Sequence, residues 1–256
     1  MTELSEYEAL ISRTDLKEQE VQHFIEQHPR FLPLKWVQNH GVHFNLFIRK
    51  PDLLGKLAAD FLFLSKSSVD WHCVLIEIEK PTTRLFKPKT DEIHGEFQAG
   101  LDQVLSWKAF LQSPGRIEAL KSSLKFLMGP MANNPMFVRY VLVAGRRKEF
   151  EGNETRRNLF AARRSEDVDV MTFDSLAVDY HRRRNLYLGV LKSNALEIHS
   201  TEFVCENMFA WIPTSQLRIN DTLRNNIQQE KSKWLARRPN GKFVLEESLD
   251  EVGSCT

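Results

Sequence analysis

A short apolar run, residues 73–81, carries two acidic side chains, Glu77 and Glu79, and ends in a proline. Its branched and aliphatic residues predict a buried strand. Because an unpaired buried charge is very costly, such a strand rarely carries two carboxylates. Side chains alternate across a strand, so Glu77 and Glu79 share one face and Lys80 points to the other. The run therefore predicts a strand that delivers two acids to one place.

A second apolar strand, around residues 58–64, has one embedded acid, Asp60. If the two strands are neighbours, three carboxylates meet. Carboxylate oxygens are the ligands that hard divalent cations prefer, so the pattern predicts a metal site. The alternative is that the two glutamates near a strand end are solvated, or are paired with Lys80 and Arg84.

The bulk numbers are those of a globular protein that can bury a substantial core: 256 residues, 42% hydrophobic and 27% charged. No apolar stretch approaches the roughly 20 residues that span a bilayer, and the N-terminus is not signal-like. The three cysteines lie far apart, which favours a reduced, cytoplasmic setting. The sequence contains no Walker loop and no Gly-x-Ser-x-Gly elbow, so no motif supports a hydrolase that uses a side-chain nucleophile.

The net charge of +1 gives no global argument for nucleic acid, but arginine clusters could form a phosphate-binding surface. Arg163 and Arg164, at the end of a predicted helix, are the candidate contacts. The alternative is that they pair with Glu166 and Asp167, which follow almost at once.

Periodicity and caps predict an α/β fold, with a central mixed β-sheet flanked by helices. Helices are predicted at 3–12, 16–27 (capped by Asp15), 91–112, a shorter segment that ends near 127, 153–165, 174–190 and 221–236. Strands are predicted at 42–49, 57–65, 72–79, 138–144 and 168–173. Three parts follow from this order: an N-terminal helix (1–14), a core (15–190), and a C-terminal extension (191–256) whose tail we expect to be disordered after Glu246.

The order of these elements resembles the PD-(D/E)XK nuclease core, which is restriction-endonuclease-like, and more narrowly the Shedu-type antiphage nucleases. The similarity lies in five segments along residues 16–185: 20–29 as an opening helix, 76–81 as a Glu-x-Glu-Lys-Pro strand, a helix with Gln98-Ala99 and the 103–107 Gln-x-x-x-Trp pattern, and the later strands 140–145 and 170–176. Five motifs in the right order are moderately specific.

The resemblance implies metal-dependent hydrolysis of DNA phosphodiester bonds in bacterial antiphage defence. Asp60, Glu77 and the backbone carbonyl of Ile78 would bind Mg²⁺ or Mn²⁺, and Gln103 would contact substrate or orient the site. Glu79 stands where much of the superfamily has lysine. Four accessory residues are also implied: Glu20 as a core acid on the first helix, Lys80, Gln98 and Trp107.

Two hypotheses remain open from the sequence. The first is an active endonuclease. The second is a catalytically silent core of the same fold that binds nucleic acid or assembles with partners, since fold alone does not imply activity. Glu79 favours the second, whereas Asp60, Glu77 and Gln103 together favour the first. The sequence does not separate DNA from RNA, and it leaves open whether the chain forms a homo-oligomer.

Overall fold

The computed structural model describes residues 2–178, 180–182, 185–192, 195–199, 204–205, 208–229 and 252–254. The helices are α1 (Glu3–Ser12), α2 (Glu18–Gln27), α3 (Gly95–Gln112), α4 (Arg116–Met128), α5 (Glu154–Ala161), α6 (Phe173–Val178), α7 (Met208–Trp211) and α8 (Asp221–Gln229). The strands are β1 (Val42–Arg49), β2 (Phe61–Lys66), β3 (Trp71–Ile78), β4 (Met136–Val143), β5 (Val168–Met171), β6 (Tyr187–Lys192), β7 (Ala195–Ile198), β8 (Leu217–Ile219) and β9 (Gly253–Ser254).

The nine strands of the described residues form one mixed sheet in the order β5-β4-β3-β2-β1-β6-β7-β8-β9. The strands β1, β2 and β3 pair antiparallel. The pairs β3–β4, β4–β5 and β1–β6 are parallel, and α3 and α4 form the crossover between β3 and β4. The predicted α/β class with a central mixed sheet is confirmed.

Helices cover both faces of the sheet. In β3, Cys73 and Leu75 point into a core shared with α3, α4, α5 and α8, whereas Val74, Ile76 and Ile78 point into a second core shared with α1, α2 and α6. Because β3 is buried on both faces, its sequence is a nearly continuous apolar run. A polar side chain on this strand must therefore face a helix layer, not bulk water.

The start of α2 and the end of α6 differ from the predictions in ways that have a clear physical reason. Asp15 does not cap α2: its carboxylate binds Arg13, and the helix begins after Lys17, whose N–H donates to Glu20 at 3.0 Å. The predicted helix at 174–190 is wrong in its second half. There α6 ends at Val178, and residues 187–190 belong to β6, because pairing with β1 buries their apolar side chains.

The sheet continues on both sides of residue 190, and the predicted division into three parts stays a prediction. The predicted helix at 221–236 is observed as α8 up to Gln229, and its remainder lies outside the described residues. The tail beyond Glu246 also lies outside them except for 252–254, where β9 pairs with β8. Among the described helices, none is both long and apolar enough to cross a bilayer.

Candidate active site

Asp60, Glu77 and Glu79, which we call the acidic cluster, stand at one end of the sheet on a common face. Phe61 pairs with Ile76, which sets Asp60 opposite Glu77, and the Asp60 N–H donates to the Ile76 carbonyl at 3.0 Å. By strand alternation all three acids lie on the face covered by α3. The predicted shared face is therefore observed.

Asp60 immediately precedes β2 and is held by donors from two elements. Its Oδ2 accepts the backbone N–H of Ile78 at 2.8 Å, and its Oδ1 accepts Nε2 of Gln22 at 2.7 Å. Gln22 comes from α2, in the opposite helix layer, and reaches Asp60 because the acid lies beyond the end of its strand. The two bonds fix the orientation of this carboxylate.

Glu77 is only 8% exposed, and its two oxygens have different environments. Oε1 accepts Nε2 of Gln103, from α3, at 2.5 Å. Within the described residues, the buried Oε2 has no hydrogen-bond partner. Burying an unpartnered polar atom costs about 1–3 kcal/mol, so a ligand that binds Oε2 would remove this cost.

Glu79 follows the end of β3 and is partly buried against α3 at Gly100. A Cβ built on Gly100 would lie 3.1 Å from Oε1 of Glu79 and 3.2 Å from Cδ1 of Leu142. A helix residue with any side chain would therefore push on the acid. The missing side chain at Gly100 lets α3 approach the cluster closely.

Burial and neighbouring negative charges disfavour the charged forms of all three acids. Desolvation is the largest cause of a pKa of about 9 for Glu77, followed by the charges of Asp60 and Glu79. Desolvation also raises the pKa of Asp60 to about 7, against the lowering effect of the Ile78 N–H. The pKa of Glu79 is raised as well, first by desolvation and then by the charge of Glu18.

A fourth acid, Glu18, which the sequence patterns did not single out, contributes to this electrostatic environment. Its charge acts on all three members of the acidic cluster. Glu18 and Gln22 lie four residues apart on one face of α2 and are hydrogen-bonded to each other at 3.2 Å. The signal in the sequence was a glutamine on the buried face of an amphipathic helix, one turn after an acid.

The structure does not bring three of the predicted accessory residues to the cluster. Glu20, the predicted core acid, binds the Arg13 guanidinium and the Lys17 N–H at the start of α2. Gln98 donates to Asp102 on the outer side of α3. Trp107 is 4% exposed and packs in the core. Lys80 does lie near the cluster, where its charge lowers the pKa of Glu79.

Arg163 and Arg164 lie just after α5. Among the described residues, neither forms the alternative ion pair with Glu166 or Asp167. The Arg164 guanidinium contacts the buried Asp169 carboxylate at 2.8 Å and donates to the Val170 carbonyl. Asp167 instead accepts from Lys108 at 2.8 Å.

The chemistry of the cluster fits a hard divalent cation, which prefers oxygen ligands. The oxygen without a hydrogen-bond partner is a carboxylate oxygen, Glu77 Oε2. As the side chains stand, no group of three or more histidine, cysteine or acidic residues in the described ranges is arranged so that it could hold a metal ion. The protein's own N–H donors occupy Oδ1 and Oδ2 of Asp60 and Oε1 of Glu77. Only part of a coordination shell is therefore preformed.

Comparison with known families gives one match: the family described as Shedu protein SduA, C-terminal, over residues 15–177. This range contains the acidic cluster, Gln22 and Gln103, and it ends within α6. A comparison with curated proteins gave no match.

Proposed function

We infer that this chain, which belongs to the Shedu protein SduA C-terminal family, is an endonuclease of antiphage defence. It would hydrolyse DNA phosphodiester bonds with Mg²⁺ or Mn²⁺. Asp60, Glu77 and the backbone carbonyl of Ile78 are the groups that would hold the ion. The observation that carries this proposal is the buried acidic cluster with its unpartnered Glu77 oxygen. A fold gains nothing from such an arrangement unless a cation or proton neutralises it.

A bound divalent ion would polarise the phosphate and lower the pKa of a water molecule. The chain's own residues supply position. Gln103 holds Glu77 through Oε1, which leaves Oε2 for a ligand. Gln22 and the Ile78 N–H hold Asp60, and Gly100 lets α3 close over Glu79.

A second candidate is a catalytically silent module that binds nucleic acid or assembles with partners. The observation that favours it is Glu79, an acid at the position where the resemblance has lysine. Glu79 cannot supply the positive charge of a lysine, and the nearby charges of Glu18 and Glu96 also repel the phosphate of a substrate.

The test is incubation of the purified chain with supercoiled plasmid in Mg²⁺ or Mn²⁺, against EDTA and against Asp60→Asn. Cleavage that needs the ion and is lost in the variant supports the endonuclease. Binding of DNA without cleavage under any of these conditions would favour the silent module. A parallel arm with labelled single-stranded RNA separates the two nucleic-acid classes, and cleavage confined to RNA would overturn the DNA assignment.

Crowding of Glu79 by α3 gives a second prediction. Gly100→Ala is expected to shift the Glu79 carboxylate by a few tenths of an ångström and to lower cleavage roughly three- to tenfold, since a 1 Å misplacement can cost about 100-fold. The free energy of unfolding should change by less than about 1 kcal/mol, because alanine also favours the helix. Gly95→Ala, on the same helix with open space around its Cβ, is the matched control. Equal activity of the two variants would reject a positional role for Gly100.

A third prediction concerns the two arginines after α5. Arg163→Glu is expected to weaken DNA binding and to flatten its salt dependence, because a phosphate contact releases counterions. Arg164→Glu is expected instead to lower the free energy of unfolding by about 1–3 kcal/mol, because it removes a partner of the buried Asp169. Salt titrations of binding and urea unfolding of both variants test this. A binding curve for Arg163→Glu that matches the parent would reject a phosphate contact by Arg163.

A further inference from the structure

A cavity of about 550 Å³ adjoins Asp60 and is formed by the loop that joins β1 to β2. Lys50 and Lys56 line it, together with Asp52 and the backbone around Gly55. Its volume falls within the range of roughly 300–1,000 Å³ that is typical of ligand pockets. The mechanism proposed above uses only one residue of this cavity, Asp60.

The loop around the cavity is tied down at several points. Leu53 and Leu57, which are 1% and 2% exposed, form an isolated bridge that closes it. The ammonium of Lys56 stands 5.7 Å from the ring centroid of Phe110, which belongs to α3. Gly55 turns the chain with a positive φ of 64°. The loop is therefore held against the same helix that covers the acidic cluster.

The backbone of Lys50 is hydrogen-bonded to the backbone of Asp60. Its backbone N–H donates to the Asp60 carbonyl at 2.7 Å, and its φ of 40° is a left-handed value that is unfavourable for a lysine. The side chain is exposed, and its charge acts on the Asp60 carboxylate. Backbone strain of this kind persists where the surrounding structure imposes it and is concentrated at functional sites.

The charges around the cluster have an uneven distribution. Glu18 and Glu96 add negative charge on the sides of α2 and α3, whereas Lys50 and Lys56 are on the side of the β1–β2 loop. A phosphodiester that approaches the acids is repelled from the first two directions and attracted from the third. Successive phosphates of one strand follow at about 3.4 Å of axial rise, so neighbours of a phosphate at Asp60 lie within reach of long lysine side chains.

We propose that the cavity between the β1–β2 loop and Asp60 is a phosphate subsite, in which Lys50 and Lys56 hold a backbone phosphate of the nucleic-acid strand next to the one at the acidic cluster. The proposal rests on the nucleic-acid function above and extends it. It assigns substrate positioning to a loop that carries none of the acids except Asp60 at its end.

The test is metal-free DNA binding in EDTA, measured by fluorescence anisotropy at several salt concentrations. The variants are Lys50→Met, Lys56→Met and the double variant. Lys125→Met, an exposed lysine on α4, is the matched loss of one charge, and Lys50→Arg keeps the charge. Each lysine that contacts a phosphate should lower the log–log salt slope by about 0.9 and weaken binding about five- to tenfold at 0.1 M salt.

Selective loss in the Lys50 and Lys56 variants, with Lys125→Met and Lys50→Arg close to the parent, supports the subsite. If the parent binds and cleaves DNA while the double variant keeps the parental affinity and slope, the subsite is overturned and the proposed function stands. If the parent neither binds nor cleaves nucleic acid, both are overturned. Thermal melting of each variant confirms that the fold is intact.

Discussion

Glu77→Gln is expected to lower metal-dependent cleavage at least about 100-fold while making the metal-free protein more stable. The substitution replaces an acid whose charged form is disfavoured first by burial and then by the charges of Asp60 and Glu79, so folding at pH 8 no longer requires that this group bind a proton. It also keeps an oxygen for the Gln103 hydrogen bond. The new amide group also gives the unpartnered position a donor that faces acids. We expect the free energy of unfolding in EDTA at pH 8 to rise by about 1–3 kcal/mol.

A second buried glutamate provides the matched control. Glu197 is 4% exposed, but it contacts the Lys192 ammonium at 2.9 Å and Arg218 at 3.3 Å. The hydrogen bond from Lys192 is the first cause of its lowered pKa. Glu197→Gln should therefore destabilise the fold where Glu77→Gln stabilises it. Urea unfolding of both variants measures this difference. Severe unfolding of Glu77→Gln would instead mean that the Glu77 carboxyl group stabilises the fold, and it would contradict the cost assigned to its burial.

The stability of the metal-free protein is expected to fall as pH rises from about 4 to 9. Asp60 and Glu77 bind protons more tightly when folded, with pKa values of about 7 and about 9 against ordinary values of 3.8 and 4.5. Their contribution to stability is therefore fully present below the ordinary values and is lost as pH rises through the folded ones. The slope cannot exceed about 1.4 kcal/mol per pH unit for each group.

The pH dependence should reverse once a divalent ion is added. Ligand carboxylates must be deprotonated, so Mg²⁺ or Mn²⁺ should stabilise the protein more at pH 8 than at pH 6. At 100 times its dissociation constant, an ion that binds only the folded state contributes about 2.7 kcal/mol. Urea unfolding from pH 5 to 9, with ion and with EDTA, measures both effects. Equal stabilisation by the ion at both pH values, or in Glu77→Gln, would contradict a site at the acidic cluster.

The sequence alone predicted the arrangement of Asp60, Glu77 and Glu79, because alternation along a strand is local and the register of a hairpin follows from its turn. Gln103 also followed from the resemblance. Gln22 and Glu18 did not follow from the sequence, since the approach of α2 to Asp60 depends on how the helix layer packs on the sheet. Glu20, the predicted core acid on the first helix, lies away from the cluster for a local reason: it caps its own helix through the Lys17 N–H.

The error at 174–190 has a different origin. Residues 187–190 are apolar and compatible with a helix continued from α6, and only their partner decides the outcome. That partner, β1, is about 140 residues earlier in the chain, with Phe47 opposite Leu188. A single-sequence pattern carries no information on such a distant pairing. Periodicity therefore located β1 to β5 but not β6, which completes the centre of the sheet, or the strands β7 to β9 beyond it.

The same β1–β6 pairing governs how the chain folds during synthesis. We expect β2 and β3 to form a hairpin early, because they are adjacent in sequence, whereas the second edge of β1 has no partner until residues 187–189 are synthesised. Closing so long a loop is entropically costly, so folding should be slow and dominated by non-local contacts. Meanwhile the apolar edge of β1 is open to pairing with other chains. Fragments that end before β6 should therefore aggregate, although they contain every residue of the acidic cluster.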